Sequence, residues 1–312
     1  MTAHRASLWD RFFYSEGSTL ALALFRIFTA VTLLREVEVT WKNSVFAIDG
    51  GFHLPYVSFF PHFTREVYDL LHTVQYPLLI LVALGLFMRF SCGALLVAQG
   101  LVFFNDLLNF RNHPYLFMLI VLILMFSPAD ESLSVKALLR ARKEKIPILT
   151  ALLGPNCPFA FQRMMQLQVC LVYFLAGLQK LSSYFIEGHV MVYHLRSFAG
   201  YWRPFLEFFV GSEKAVEIQD KFLTPEAQFV PAIITVVMEL VLPFAIWHRK
   251  TRKWAMLLGI GFHLAVGLLM NVWTFTGVMI ASYLLFLEPD TIPRLFRRLG
   301  LGGKPAPAEG AG

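Results

Sequence analysis

The chain has 312 residues, of which 57% are hydrophobic and 15% charged, with 31 phenylalanines, a mean hydropathy of +0.59 and a net charge of +6. An ordinary soluble domain carries about 25% charged residues, so these proportions exclude that class and point to a polytopic membrane protein. Three cysteines, Cys92, Cys157 and Cys170, are too few and too scattered for a disulfide framework and lack zinc-ligand spacing, so no metal and no redox role is assigned.

In chain order, residues 1–17 form an N-terminal segment without a signal-peptide cleavage pattern; its stretch 6–14 mixes aromatics with arginine, as an interfacial helix does. Apolar runs then predict transmembrane helices over 18–37, 74–90, 91–109, 113–128, 162–182, 229–248, 254–271 and 272–288, each near the ~20 residues that a bilayer requires. The expected fold is all-α: an integral membrane bundle of about eight helices, one transmembrane domain spanning 18–290. Segments 132–142 and 196–209 (RSFAGYWRPFLEFF) are further candidates for amphipathic helices along the membrane interface. Residues 291–312 are first basic and then small and proline-rich, ending in GGKPAPAEGAG, a tail expected to be disordered.

Loop charge predicts the orientation. Segment 131–145 carries Lys136, Arg140, Arg142, Lys143 and Lys145, turn 249–253 carries Arg249, Lys250, Arg252 and Lys253, and the tail carries Arg294, Arg297, Arg298 and Lys304; all three belong in the cytoplasm. Loop 183–228 sets four basic residues against six acidic ones and belongs on the other side. Eight spans with both termini cytoplasmic satisfy these assignments together. Topology thus accounts for the net charge without nucleic acid as a partner.

On this orientation three groups fall toward the non-cytoplasmic side: Lys180 at the end of the fifth span, His113 at the start of the fourth, and His263 about halfway along the seventh. One pocket holding all three is the functional expectation. Asp106 closes the third span, and Glu239 is the one charge in its span. Each has a structural alternative. Lys180 can snorkel to the headgroups; His113, between Asn112 and Pro114, can start its helix; His263, among glycines, can bond a neighbouring helix. A buried carboxylate in lipid needs a partner, which Lys180 or Arg26 can supply, and an Arg26–Glu239 structural ion pair is expected. His53, His62 and His72 are expected in a solvated loop.

These residues carry a resemblance. VYFLAGLQKLSSYFIEGHVM resembles the segment of vitamin K-dependent gamma-glutamyl carboxylase in which a lysine is the base that activates vitamin K hydroquinone, with Lys180 in that lysine's place. SCGALLVAQGLVFFNDLLNFRNHPYLF places Asn112 and His113 at an Asn-His pair; VVMELVLPF has Glu239 where the carboxylase has an aspartate; FHLAVGLLMNVWTFTGVMIASYLLF has His263 at a family histidine; and STLALALFRIFTAV matches through Phe25-Arg26. The likeness covers roughly 18–290 and is that of the HTTM (horizontally transferred transmembrane) family, which shares its membrane domain with the carboxylase. Gln179 and Ser182 depart from charged residues of the carboxylase, and its large lumenal substrate-binding domain has no counterpart in the short stretch after the last span.

The resemblance implies a bacterial inner-membrane protein that oxidises a reduced quinone, vitamin K hydroquinone or menaquinol, with O2 to an epoxide, with CO2 and carboxylation of a substrate as a further extension. Lys180, His113 and His263 are then the catalytic candidates, and Asn112, Asp106 and Tyr173 the residues for contacting the cofactor. A phenolic hydroxyl ionises near ~10, so its base must be a neutral amine, which withdrawal from water favours. Apolar helices exclude water from the strong base that oxygen chemistry generates, and a quinone enters sideways from the lipid. Two other readings stay open: a non-catalytic membrane subunit for maturation or export of a secreted peptide, working with a separate substrate peptide or soluble partner protein, and a quinone or lipid carrier.

Overall fold

The computed structural model describes residues 7–51, 53–56, 62–289 and 291–298, so the tail after Arg298 lies outside the described residues. The described chain is all-α apart from one short ribbon, and it divides into two compact units, residues 1–165 with 287–312, and residues 166–286.

The first unit begins with α1 (Leu8–Phe13), where Ser7 and Asp10 cap each other reciprocally, and β1 (Glu16–Ser18). Three long helices follow: α2 (Leu20–Asp49), α3 (Arg65–Leu84) and α4 (Met88–Asn105). A 3₁₀ turn at Leu107–Asn109 leads into α5 (Asn112–Phe126), whose Pro114 sits in the first turn, where a missing N–H costs nothing. Then come the basic helix α6 (Val135–Glu144), α7 (Ile148–Leu153) and β2 (Asn156–Pro158), which pairs antiparallel with β1, Gly17 opposite Cys157. The helix α8 (Ala160–Gln179) carries the chain into the second unit.

The second unit replaces the expected loop 183–228 with four helices: α9 (Ser183–Ile186), α10 (His189–Ser197), α11 (Ala199–Val210) and α12 (Ser212–Phe222). Next is α13 (Pro225–Trp247), started by the Thr224 side chain accepting from the Ala227 N–H with Pro225 at the first helical position. α14 (Arg252–Met270), α15 (Trp273–Ser282) and a 3₁₀ turn at Tyr283–Phe286 complete it. The chain re-enters the first unit at α16 (Thr291–Arg298), where Ile292 packs with Leu20 and Ala21.

Among the described residues four helices, α3, α4, α13 and α14, are long and apolar enough to cross a membrane by length and composition, and α5 and the run Trp273–Phe286 are shorter apolar helices. The chain is a membrane protein. The second half of α2 carries Arg35, Glu36, Glu38, Lys42 and Asp49, and α8 carries Arg163 and four glutamines, which lower their mean hydropathy.

The second expected span is displaced. It was placed at 74–90, but α3 starts at Arg65 and stops at Gly85, which takes the left-handed conformation (φ 63°) and closes the helix with its N–H on the Leu81 and Val82 carbonyls. The early start puts His72 inside the helix, buried with Tyr68 and Gln75 at i, i+4 and i+7, and not in a solvated loop.

Arg26 is the largest fully buried side chain of the first unit. Its Nη1 donates to the Ala129 and Ser132 carbonyls (2.5 and 3.5 Å), and its Nη2 donates to those of Ala83 and Leu133 (3.2 and 2.6 Å). It therefore ties α2 to the end of α3 and to the segment that links α5 with α6. The expected Arg26–Glu239 ion pair is overturned: carbonyl oxygens take up the guanidinium, and Glu239 has another partner.

Candidate functional site

In the second unit that partner is Lys180. The residue follows the last turn of α8, held by its backbone N–H on the Gly177 carbonyl (3.2 Å), and the chain breaks there because Ser182 starts α9 by accepting from the Phe185 N–H. The Lys180 Nζ donates to Glu239 Oε1 and Oε2 at 2.9 and 2.7 Å, and to the Ala176 carbonyl at 3.4 Å. The Phe185 ring lies 5.8 Å from the ammonium nitrogen, within cation–π range. Gly177 makes the pair possible, since a Cβ there would stand 2.8 Å from the Leu240 side chain and 3.2 Å from the Glu239 Cβ. Glu239 is buried on α13, whereas the lysine side chain keeps 28% of its surface open, so the pair is reached from the lysine side.

Two turns earlier on the same face of α8, about 10 Å along the helix axis, stands Tyr173. Its hydroxyl contacts His263 Nε2 and lies 2.6 Å from the Tyr283 hydroxyl. All three residues are buried. Thr276 donates to the His263 carbonyl (3.0 Å), fixing α15 against α14, and the Phe262 and Phe275 rings meet the imidazole edge-on at 5.5 Å. Gly259 gives the Tyr283 hydroxyl its room, because a Cβ there would fall 2.0 Å from that oxygen. The glycine tolerates no side chain: Gly259→Ala should expel the Tyr283 ring, cost about 1–3 kcal/mol by overpacking, and lower the thermal unfolding temperature, whereas Gly261→Ala, with open space at its Cβ, should leave it unchanged.

The other expected residues belong to the first unit. Asp106 is buried and engaged in capping: its Oδ1 accepts from the Leu108 and Leu54 N–H groups (2.8 and 3.3 Å), and its Oδ2 lies 3.0 Å from His53 Nδ1. Asn112 is exposed and His113 half-buried in the first turn of α5. A small cavity of about 30 Å³, room for a water, lies beside Pro114 and is lined by Glu36, Gln75, Gln99 and Asn109. Glu36 accepts there from Arg111 (3.1 Å).

Of the sequence candidates, then, the structure pairs Lys180 with Glu239 and Tyr173 with His263, and places Asp106, Asn112 and His113 in the first unit. Tyr283, Thr276, Phe185 and the two glycines were not foreseen. A tyrosine in the apolar run IASYLLF was the available signal, because a buried hydroxyl requires a partner.

The arrangement offers an amine beside a carboxylate at one end of α8 and an imidazole–hydroxyl–hydroxyl chain two turns away, centred on Tyr173 and set among phenyl rings. No solved structure matches the chain. A family model for the HTTM domain, a membrane domain associated with vitamin K-dependent carboxylase, matches residues 15–291, from just before β1 to the start of α16 and so through both units. With the match extending over nearly the whole of its length, the chain belongs to the HTTM domain family.

Proposed function

We propose that the protein is a carboxylase-like membrane enzyme that oxidises a reduced quinone, vitamin K hydroquinone or menaquinol, with O2, and that Lys180 is its base. The observation that carries the reading is the Lys180–Glu239 contact: a buried carboxylate bound to an amine that remains open on one side. The bound quinol supplies the reducing equivalents and, with oxygen, gives an epoxide and water. Lys180 accepts a proton at Nζ. It does so as the neutral amine, so its resting proton moves first to Glu239 along the 2.7 Å contact. Tyr173, Tyr283 and His263 would orient the ring by exchanging one of their mutual hydrogen bonds for a quinone oxygen, and the apolar helices would exclude water.

In the same reading the chain crosses a bacterial inner membrane about eight times, with both termini cytoplasmic and Lys180 toward the opposite face. Carboxylation of a separate substrate peptide with CO2 is the further step that this chemistry can drive. The test is aerobic turnover of reduced vitamin K and of menaquinol by the purified protein, with the epoxide separated by chromatography. Epoxide is expected from the unaltered chain and a loss of at least about 100-fold from Lys180→Ala; quinone binding without turnover would instead indicate a carrier.

A further inference from the structure

A cavity of about 770 Å³ opens in the first unit, at the turn between α3 and α4, the end of α5 and the start of α8. The ends of α3, α4 and α5 are termini of apolar helices, which a bilayer would set near its headgroup layer. Its wall is unusual in combining two surfaces. One is aromatic and open: Phe90 is 70% exposed and Phe126 53% exposed. The other is charged, with Arg89, Asp130, Glu131 and Lys136.

The charges are not equivalent. Glu131 is engaged twice, by Lys136 and by Arg140 (2.6 Å). Asp130 has one ion-pair partner among the described residues, Lys136 at 3.0 Å on Oδ2. Arg89 is exposed and makes no ion pair among the described residues. One cation and one carboxylate thus retain bonding capacity beside an aromatic face. An acyl chain alone would have no use for Arg89 or Asp130, and a free phosphate none for Phe90 and Phe126. A purely anionic headgroup would meet the carboxylates, and a quaternary amine has no N–H to give Asp130.

We propose that this cavity binds a zwitterionic phospholipid with a primary amine: phosphate on Arg89, ammonium on Asp130, acyl chains along Phe90 and Phe126. The bidentate fork of arginine suits a phosphate, and the three donors of the ammonium suit a carboxylate that has a second oxygen to offer. This assignment does not depend on the quinol reading.

Retention of phosphatidylethanolamine, phosphatidylcholine and phosphatidylglycerol by the full chain in detergent, read by native mass spectrometry, tests it, with inorganic phosphate plus ethanolamine as competitor. Phosphatidylethanolamine should be retained about tenfold more tightly than the other two, Arg89→Gln should lose about that factor while Arg89→Lys, which keeps the charge without the fork, retains part of it, and the competitor should displace nothing. Equal retention of the three lipids by the unaltered chain would overturn the proposal, whatever the variants do. So would displacement by the soluble competitor, or an Arg89→Gln protein that binds as before.

Discussion

Lys180→Met alone destabilises the protein, and adding Glu239→Leu restores most of what was lost. Removing the amine leaves a buried carboxylate whose only ion-pair partner among the described residues is gone, at a cost of about 2–4 kcal/mol, toward the lower end because the lysine side chain is partly open to its surroundings. Replacing both partners with apolar groups removes the charge that needed compensation, which is often neutral in stability. The pair of variants therefore separates two roles that a single substitution confounds. Thermal unfolding in detergent should rank the proteins as unaltered chain, double variant, then Lys180→Met, while quinol turnover should be absent from both variants. Equal unfolding temperatures for the single and double variants would show that the Lys180–Glu239 contact contributes nothing to the fold.

The second large effect belongs to Arg26. Four backbone carbonyls from two segments converge on one guanidinium, and no carboxylate pairs with it among the described residues. Arg26→Met strands those acceptors in a dry interior and should cost about 3–5 kcal/mol. Arg26→Lys should recover little, because a single ammonium cannot reach carbonyls spread about a planar fork. Hydrogen exchange locates the damage: the segment between Ser127 and Ser134 and the end of α3 should lose protection first, ahead of α14 in the second unit. Uniform loss of protection across the chain would contradict the role of a local clamp.

Much of this was legible in the sequence, and the omissions have physical reasons. Apolar runs located the hydrophobic helices because a bilayer demands length and low charge, and they located them within a few residues where a proline or glycine sharpened the boundary, as at Pro225 and Asn112–Pro114. α3 was misplaced because its first half, REVYDLLHTV, is polar on one face only, and an average over the window hides the buried row Tyr68, His72 and Gln75. Lys180 and Glu239 could be identified as groups needing partners, and Lys180 was one of the two partners considered. Arg26 was paired wrongly because its true partners are main-chain carbonyls, which leave no trace in residue identity. The hydroxyl of Tyr283 stands 110 residues from that of Tyr173, and the packing of the last 3₁₀ turn on α8, where Gln166 donates to the Leu285 carbonyl (2.6 Å), brings it there. Within 183–228 only the helix near 196–209 was anticipated; the others were read as a loop because their charges and aromatics resemble a solvated segment until Leu195, Trp202 and Leu223 are seen to share a core.

The central claim is that the amine of Lys180 takes the proton from a bound quinol, and chemical rescue tests it most directly. Epoxide formation by Lys180→Ala is measured aerobically with reduced vitamin K while a small primary amine is added over a range of pH. The account predicts negligible epoxide without the amine and a rate that rises with the concentration of the neutral amine, not with total amine. Full activity of Lys180→Ala with no amine present would contradict it.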